Sequence, residues 1–265
     1  MKKIRFLALI LCVCLLLTVC GCGNRTSGAY TQIATLAEGA YGIGFRTGDP
    51  AADYVEAAMK VLAAGGQIHE AAVHWFGSDP TYFPGDAGAL DALEPAEQRI
   101  FIVGVDTDNF PMSYKSGDAY TGFDVELAQQ VCQMLGWDLR FQEIEDESQA
   151  FVELSSGNVD CVWGGMMLST EETKFRVVGP YMDCDIVVVV LAGNKLGSLR
   201  KLADKSVAMN DAPKYAGAAE ANQLAGSVGQ LQALGIGSDG LFDGLVKGTY
   251  DAIVVDSAAA LYYMR

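Results

Sequence analysis

The chain has only two histidines, His69 and His74, in 265 residues, and no Cys-x-x-Cys pair. The ligand spacing of a structural zinc site is therefore missing. There is no Gly-x-Ser-x-Gly, and no histidine stands beside a cysteine in a recognisable nucleophile arrangement. Nucleophilic catalysis has no support from such residues, and no cofactor or metal is expected. Positive charge is scarce: 18 Lys and Arg face 33 Asp and Glu, for a formal net charge of −15. So acidic a surface repels nucleic-acid phosphates and gives no electrostatic grip on anionic lipid. Beyond the first residues, no apolar run is long enough to cross a bilayer.

What is present begins at the amino end. Lys2, Lys3 and Arg5 precede a stretch, Phe6 to Val19, that is apolar apart from Thr18. It is short for a transmembrane span and fits the apolar region of a signal peptide. Val19-Cys20-Gly21-Cys22 follows, then a polar tether to Ser27. A small residue directly before a cysteine, in that order, resembles the lipobox of bacterial lipoproteins. The resemblance implies a signal peptide over 1–21, lipidation of Cys22 and a lipidated tether over 22–27. Cys20 is the rival site, though bulky Val19 precedes it. The expected location is extracytoplasmic, held to the outer face of the cell membrane by lipid alone. Removing 1–21 would leave 244 residues, and losing three cations would move the formal charge from −15 to −18. That length suffices for two small lobes or one large domain. Besides Cys22, Cys132, Cys161 and Cys184 would remain; Cys132 lies in a helical pattern and Cys161 in a strand pattern, so both read as buried fillers.

Strand and helix patterns alternate along the rest. Tyr41–Phe45 reads as a strand, and Asp49-Pro50 opens a helix that Gly65 follows. Ile68, Ala71, Ala72 and Trp75 mark a second helix, and 77–98, rich in Gly, Pro, Asp and Ala, reads as a linker. Ile100–Val105 is a continuous apolar strand, and Asp124 is the expected cap of the next helix, which ends before Gly136. Further strands are expected at Leu139–Ile144, Val159–Trp163, Ile186–Leu191, Val207–Met209 and Ala252–Val255. The alternation predicts parallel sheets with ligands at the carboxyl ends of their strands.

From Arg99 to Tyr263 the chain resembles the amino-acid-type (family 3) solute-binding proteins of importers. The residues that carry the likeness are Ile102-Val-Gly-Val-Asp106 with Pro111, and Tyr120-Thr-Gly-Phe-Asp-Val-Glu-Leu127. Gly157-Asn-Val-Asp-Cys-Val-Trp-Gly-Gly165, Gly179-Pro-Tyr181 and Tyr250-Asp-Ala-Ile-Val-Val-Asp256 continue it. Tyr41–Asp49, the helix after it and His74-Trp-Phe-Gly77 look like the last block of such a protein, here placed first. The resemblance implies an α/β, two-lobed periplasmic-binding-protein-like fold (type II), circularly permuted, with 77–98 joining the old ends. One lobe is expected over 40–187 and the other over 28–39 and 188–265, with both mature termini on the second lobe. It further implies a monomer that captures a small-molecule ligand in the cleft and delivers it to an ABC importer permease, without catalysis. A ligand-free sensory or partner-binding relative, or a dehydratase derived from this fold, are the alternatives.

The resemblance also places a site and shows where this chain departs from it. Asp256 aligns with the carboxylate that holds a ligand ammonium, and Asp106 either faces the ligand's distal end or braces its loop. Asn109 and Met112 stand where relatives commonly carry rings, and Asp146 where some carry Trp; Phe110 lies nearby. After Gly165, Met167 replaces a hydroxyl residue and Ser169 begins Ser-Thr-Glu-Glu, so Glu171 or Glu172 stands where an Arg for the ligand's carboxylate is expected. Glu172 also has the spacing of a capping box. A buried carboxylate left without its charged partner costs on the order of 3–5 kcal/mol. In the second lobe Pro213 has no N–H to offer, and Lys214 could supply a replacement positive charge.

Overall fold

The computed structural model describes residues 26–144, 147–164 and 175–265. Strands β1 (Thr26–Ser27), β2 (Tyr30–Ala37) and β3 (Ala40–Arg46) come first, then helices α1 (Ala51–Gly65) and α2 (Gln67–Phe76). β4 (Ile100–Val105), the short strands β5 (Asp108–Asn109), β6 (Ser113–Ser116) and β7 (Ala119–Thr121), and α3 (Phe123–Leu135) follow. β8 (Asp138–Glu143), α4 (Glu147–Ser156), β9 (Cys161–Val162) and β10 (Phe175–Asp183) complete one group. The remainder is β11 (Ile186–Leu191), β12 (Ser206–Asn210), α5 (Pro213–Ala221), α6 (Leu224–Ser227), β13 (Gln230–Leu234), α7 (Ser238–Val246), β14 (Ala252–Asp256) and α8 (Ser257–Met264).

These elements form two lobes, each on its own sheet. The first has strand order β10-β3-β9-β4-β8 and the second β1-β2-β11-β14-β12-β13; β5-β6-β7 is a small meander on the first lobe. Both large sheets are mixed, which corrects the expectation of parallel ones. β4 is parallel to β8 and β9, and β12 to β13 and β14, as the intervening helices require. β3 and β10 in the first sheet, and β2 and β11 in the second, run antiparallel to their neighbours. The reason is topological: β2 to β3 and β10 to β11 are the two passages between lobes, so each strand leaves one sheet as it enters the other. At the crossing, Cys184 N donates to the Gly39 carbonyl and Gly39 N to the Asp185 carboxylate.

Apolar runs explain the layering. Tyr41, Ile43 and Phe45 of β3 and Phe101, Val103 and Val105 of β4 are all fully buried, beneath α1, α2 and α3. Burying one such side chain contributes about 1.5–3 kcal/mol. Ion pairs tie β3 to the neighbouring turns: Arg46 pairs with Asp49 at 2.6 Å and donates to the carbonyls of Leu154 and Val159, while Asp160 pairs with Arg99. Cys132, Cys161 and Cys184 are buried free thiols; burial pushes the Cys132 and Cys184 thiols up to about 12.

Helix ends differ from expectation by one residue or by mechanism. α1 runs through Gly65, and Gly66 at φ 84° ends it. Asp49 sits one residue outside the cap position, yet its carboxylate still accepts from Ala51 N. Asp124 is not a cap: it lies in the first turn of α3, fully buried, and accepts from the Tyr181 hydroxyl at 2.7 Å. The cap position belongs to Gly122 at φ 130°, where any side chain would meet the Met112 carbonyl. The segment 77–98 is mostly irregular and lies along the crossing, with Tyr82 N donating to the Tyr181 carbonyl and the Tyr82 hydroxyl to Asp183. α8 continues from β14, but its end reaches the first lobe. Arg265, expected wholly on the second lobe, donates to the carbonyls of His74 and Trp75.

Candidate functional site

The carboxyl ends of β4, β12 and β13 meet where the lobes face each other. From the first lobe Asp106 and Asp108, and from the second Asn210–Tyr215 and Gly235–Ser238, line a cavity of about 530 Å³. Sheets of this kind bind ligands outside the carboxyl ends of their strands, and volumes of about 300–1,000 Å³ suit small molecules. Among the described lining residues are three carboxylates, Asp106, Asp108 and Asp211, and one cation, Lys214.

Each wall is held by its own chain. Asp106 follows β4; its N–H donates to the Gly164 carbonyl, and its carboxylate accepts from Asp108 N at 2.9 Å in a side-chain turn. Burial raises the Asp106 carboxyl above its ordinary value of 3.8; the nearby charges of Asp108 and Asp256 add to the rise, while the Asp108 N–H and the Lys214 charge oppose it. On the other wall Asn210 fastens two loops at once. Its side chain accepts from Ala212 N at 2.7 Å and donates to the Ile236 carbonyl at 2.8 Å. α5 then starts with Pro213 in its first turn, where a missing N–H costs nothing. The Lys214 ammonium lies 5.1 Å from the Tyr215 ring centroid.

Asp256 stands behind this wall. It is 1% exposed and lies at the end of β14. One carboxylate oxygen accepts from Ala259 N at 2.8 Å as the cap of α8, and the other from the Tyr215 hydroxyl at 3.0 Å. Tyr215 in turn lines the cavity, so Asp256 braces one of the cavity's lining residues from behind. Burial, then the Asp256 charge, pushes the Tyr215 and Tyr41 phenols well above their usual value, so both are neutral.

The remaining candidates fall in three places. Pro213 and Lys214 line the cavity with Asp106. Met112 is fully buried in the first-lobe core, and Asn109 is 3% exposed beside β6. Phe110 packs against Tyr114 at 4.9 Å and against Tyr262 of α8 at 4.6 Å, forming an aromatic seam between the lobes. None of Asn109, Phe110 and Met112 is among the described residues lining the cavity. Asp146, Gly165, Met167, Ser169, Glu171 and Glu172, and the lipidation candidate Cys22, lie outside the described residues. Reading the sequence missed Asp108, Asp211, Tyr215 and the loop Gly235–Ser238. The loop carried a signal, a Gly-x-Gly-Ser run between a strand and a helix; Tyr215 carried none, since one aromatic beside a helix start reads as core.

Among the described residues no group of three or more His, Cys, Asp and Glu could hold a metal ion, and no helix is long and apolar enough to cross a membrane. The family model for the bacterial extracellular solute-binding proteins, family 3, matches residues 101–225. Among curated proteins, the arginine-binding extracellular protein ArtP of Bacillus subtilis is 30% identical over 45% of this chain and 47% of its own length. The membrane-bound lytic murein transglycosylase F of Cronobacter sakazakii is 26% identical over 68% of this chain and 36% of its own. The chain thus spans about half of the first and about a third of the second. Among solved structures, an ancestral amino acid-binding protein described as a precursor of cyclohexadienyl dehydratase matches with a TM-score of 0.50 and 28% identity, over 62% of this chain and 73% of that one.

Proposed function

We propose that the chain, whose residues 101–225 match the family model for the bacterial extracellular solute-binding proteins, family 3, is a member of that family and captures an amino acid or related amine-bearing solute by closing its two lobes around it. The observation that carries this reading is the cavity itself, walled from both lobes and lined by three carboxylates against one ammonium. A net negative, partly enclosed space favours a cationic group over an anion. The names of two similar proteins, one arginine-binding and one amino acid-binding, support the same ligand class. The rest of the proposal is lipid attachment at Cys22 outside the cytoplasm and delivery of the solute, by a monomer, to an ABC importer permease.

We also read the order of segments as a circular permutation, with 40–187 as one continuous lobe and 28–39 with 188–265 as the other. Support comes from β3, which lies between β9 and β10 in the sheet that holds β4 although 77–98 separates it from β4 in the chain. Calorimetry against amino acids, amines and dicarboxylates tests the function. Micromolar or tighter binding of an amine-bearing solute, weakened at least tenfold in Asp106→Asn, is expected; tight binding of a dicarboxylate alone would reject it. The likeness to a dehydratase precursor favours a second reading, an enzyme acting on small cyclic acids. Product formation from such acids separates it from binding without turnover.

A further inference from the structure

We infer that Lys214 anchors an anionic group of the solute, so that the cavity selects a zwitterion with its carboxylate toward the second lobe and its ammonium groups toward the first. This rests on the reading of the cavity as an amino acid site and names the part of the site that discriminates. Lys214 is the one cation among the described residues lining the cavity, opposite Asp106 and Asp108 and beside Asp211. Its ammonium is placed over the Tyr215 ring, 5.1 Å from the centroid, and not in an ion pair with any of the three carboxylates.

Its place in the fold has no local explanation. Lys214 lies in the first turn of α5, a helix of nine residues without an acidic residue in that turn. Cations favour the opposite helix end, where the dipole is negative, so this lysine does not serve its own helix. Pro213 before it removes one of the free N–H groups of the helix start, so the Lys214 ammonium adds to the amides that remain for an anion at this wall. The flanking wall is fastened by both Asn210 bonds, which hold the start of α5 against the loop before α7. The first-lobe wall therefore carries two neighbouring carboxylates, and the second-lobe wall carries an ammonium beside one further carboxylate, Asp211. An α-amino acid presents the complementary pair of charges, and one with a cationic side chain answers the surplus of carboxylates as well.

The test compares arginine, lysine and histidine with agmatine, cadaverine and histamine, the same molecules lacking the carboxylate. Binding is measured by calorimetry on the unaltered protein, Lys214→Met and Lys214→Arg. The unaltered protein is expected to prefer at least one amino acid over its amine by tenfold or more. In K214M that ratio falls below about threefold because the amino acid weakens while the amine does not, and K214R restores it. An unchanged ratio in K214M overturns the inference while leaving the proposed function standing. So does equal tightening of both ligands, which would make Lys214 a tethered competitor for Asp106. Binding of none of the six by the unaltered protein, with melting temperature unmoved, defeats the proposed function and the inference with it.

Discussion

Asp256 holds two elements with one side chain. Its two oxygens cap α8 and hold the Tyr215 phenol in a site 1% exposed. Asp256→Ala removes a cap worth about 1–2 kcal/mol and strands a buried hydroxyl at a further cost of about 1–3 kcal/mol. We expect urea unfolding to show a loss of about 2–4 kcal/mol, so weakened binding in that variant does not by itself report contact with a ligand. Tyr215→Phe is the cleaner probe, because it keeps the cap while removing only the hydroxyl that Asp256 holds. Asp106 is the residue whose protonation the cavity controls. Burial raises its carboxyl above 3.8 in the folded protein. The unfolded chain therefore loses this proton first, and the native state is weakened as the pH rises from the unfolded value through the native one. A bound ammonium reverses that preference. Affinity for an amine-bearing solute should rise with pH through the native value of Asp106, at a pH where an ordinary carboxylate is already ionised. Calorimetry across that range should show the dependence, and Asp106→Asn should abolish it.

At the scale of elements, the crossing between lobes is clasped by the start of α8. The Ser257 hydroxyl accepts from Asp185 N at 3.1 Å and donates to the Asp183 carbonyl, while Ser257 N donates to the Asp185 carbonyl. Ser257 follows Asp256 directly, so the cap behind the cavity wall and the clasp on the hinge belong to one turn. Ser257→Ala should cost about 1 kcal/mol and speed hydrogen exchange at the Asp185 amide, with amides of β4 and β8 unaffected. Equal protection of Asp185 in both forms would show that the hydroxyl does not hold the crossing. Helix starts also mark where pattern reading ended. Asp124 has the composition of a cap, but the turn is made by Gly122, which leaves Asp124 free to be buried against Tyr181. That partner lies 57 residues away, and no local spacing announces it.

For the whole molecule, the arrangement of the first lobe makes a strong claim about folding. Residues 40–183 supply all five strands of its sheet, and β3 is interior to that sheet. All three tryptophans, Trp75, Trp137 and Trp163, are buried in that lobe. A fragment of residues 40–187 should therefore unfold in one cooperative step followed by tryptophan fluorescence. A fragment of 99–187, which lacks β3, α1 and α2, should not, because β9 and β10 lose the strand between them. Cooperative unfolding of the shorter fragment would count against one continuous lobe. The contact of Arg265 with the carbonyls of His74 and Trp75, and the ring contacts of Tyr262 with Phe110 and Trp75, cross between the lobes. These surfaces become exposed in the fragment, which should be less stable than the same lobe in the full chain.

The α/β class, most of the strands and the buried faces of α1, α2 and α3 were legible along the chain, because apolar periodicity and Gly or Pro punctuation act over a few residues. Ile100–Val105 and Ile186–Leu191 could be read this way, and Asp106 was marked by its place just after an apolar strand. The direction of β3 and β10 was not legible, since it follows from the route of the chain between two lobes. Nor was the rest of the cavity lining: Asp108, Asp211 and Ser238 come from three separated segments, and only folding brings them beside Asp106 and Lys214. Tertiary structure likewise put Met112 into the core and turned Phe110 toward α8, because competition for buried space depends on neighbours that lie far away in sequence.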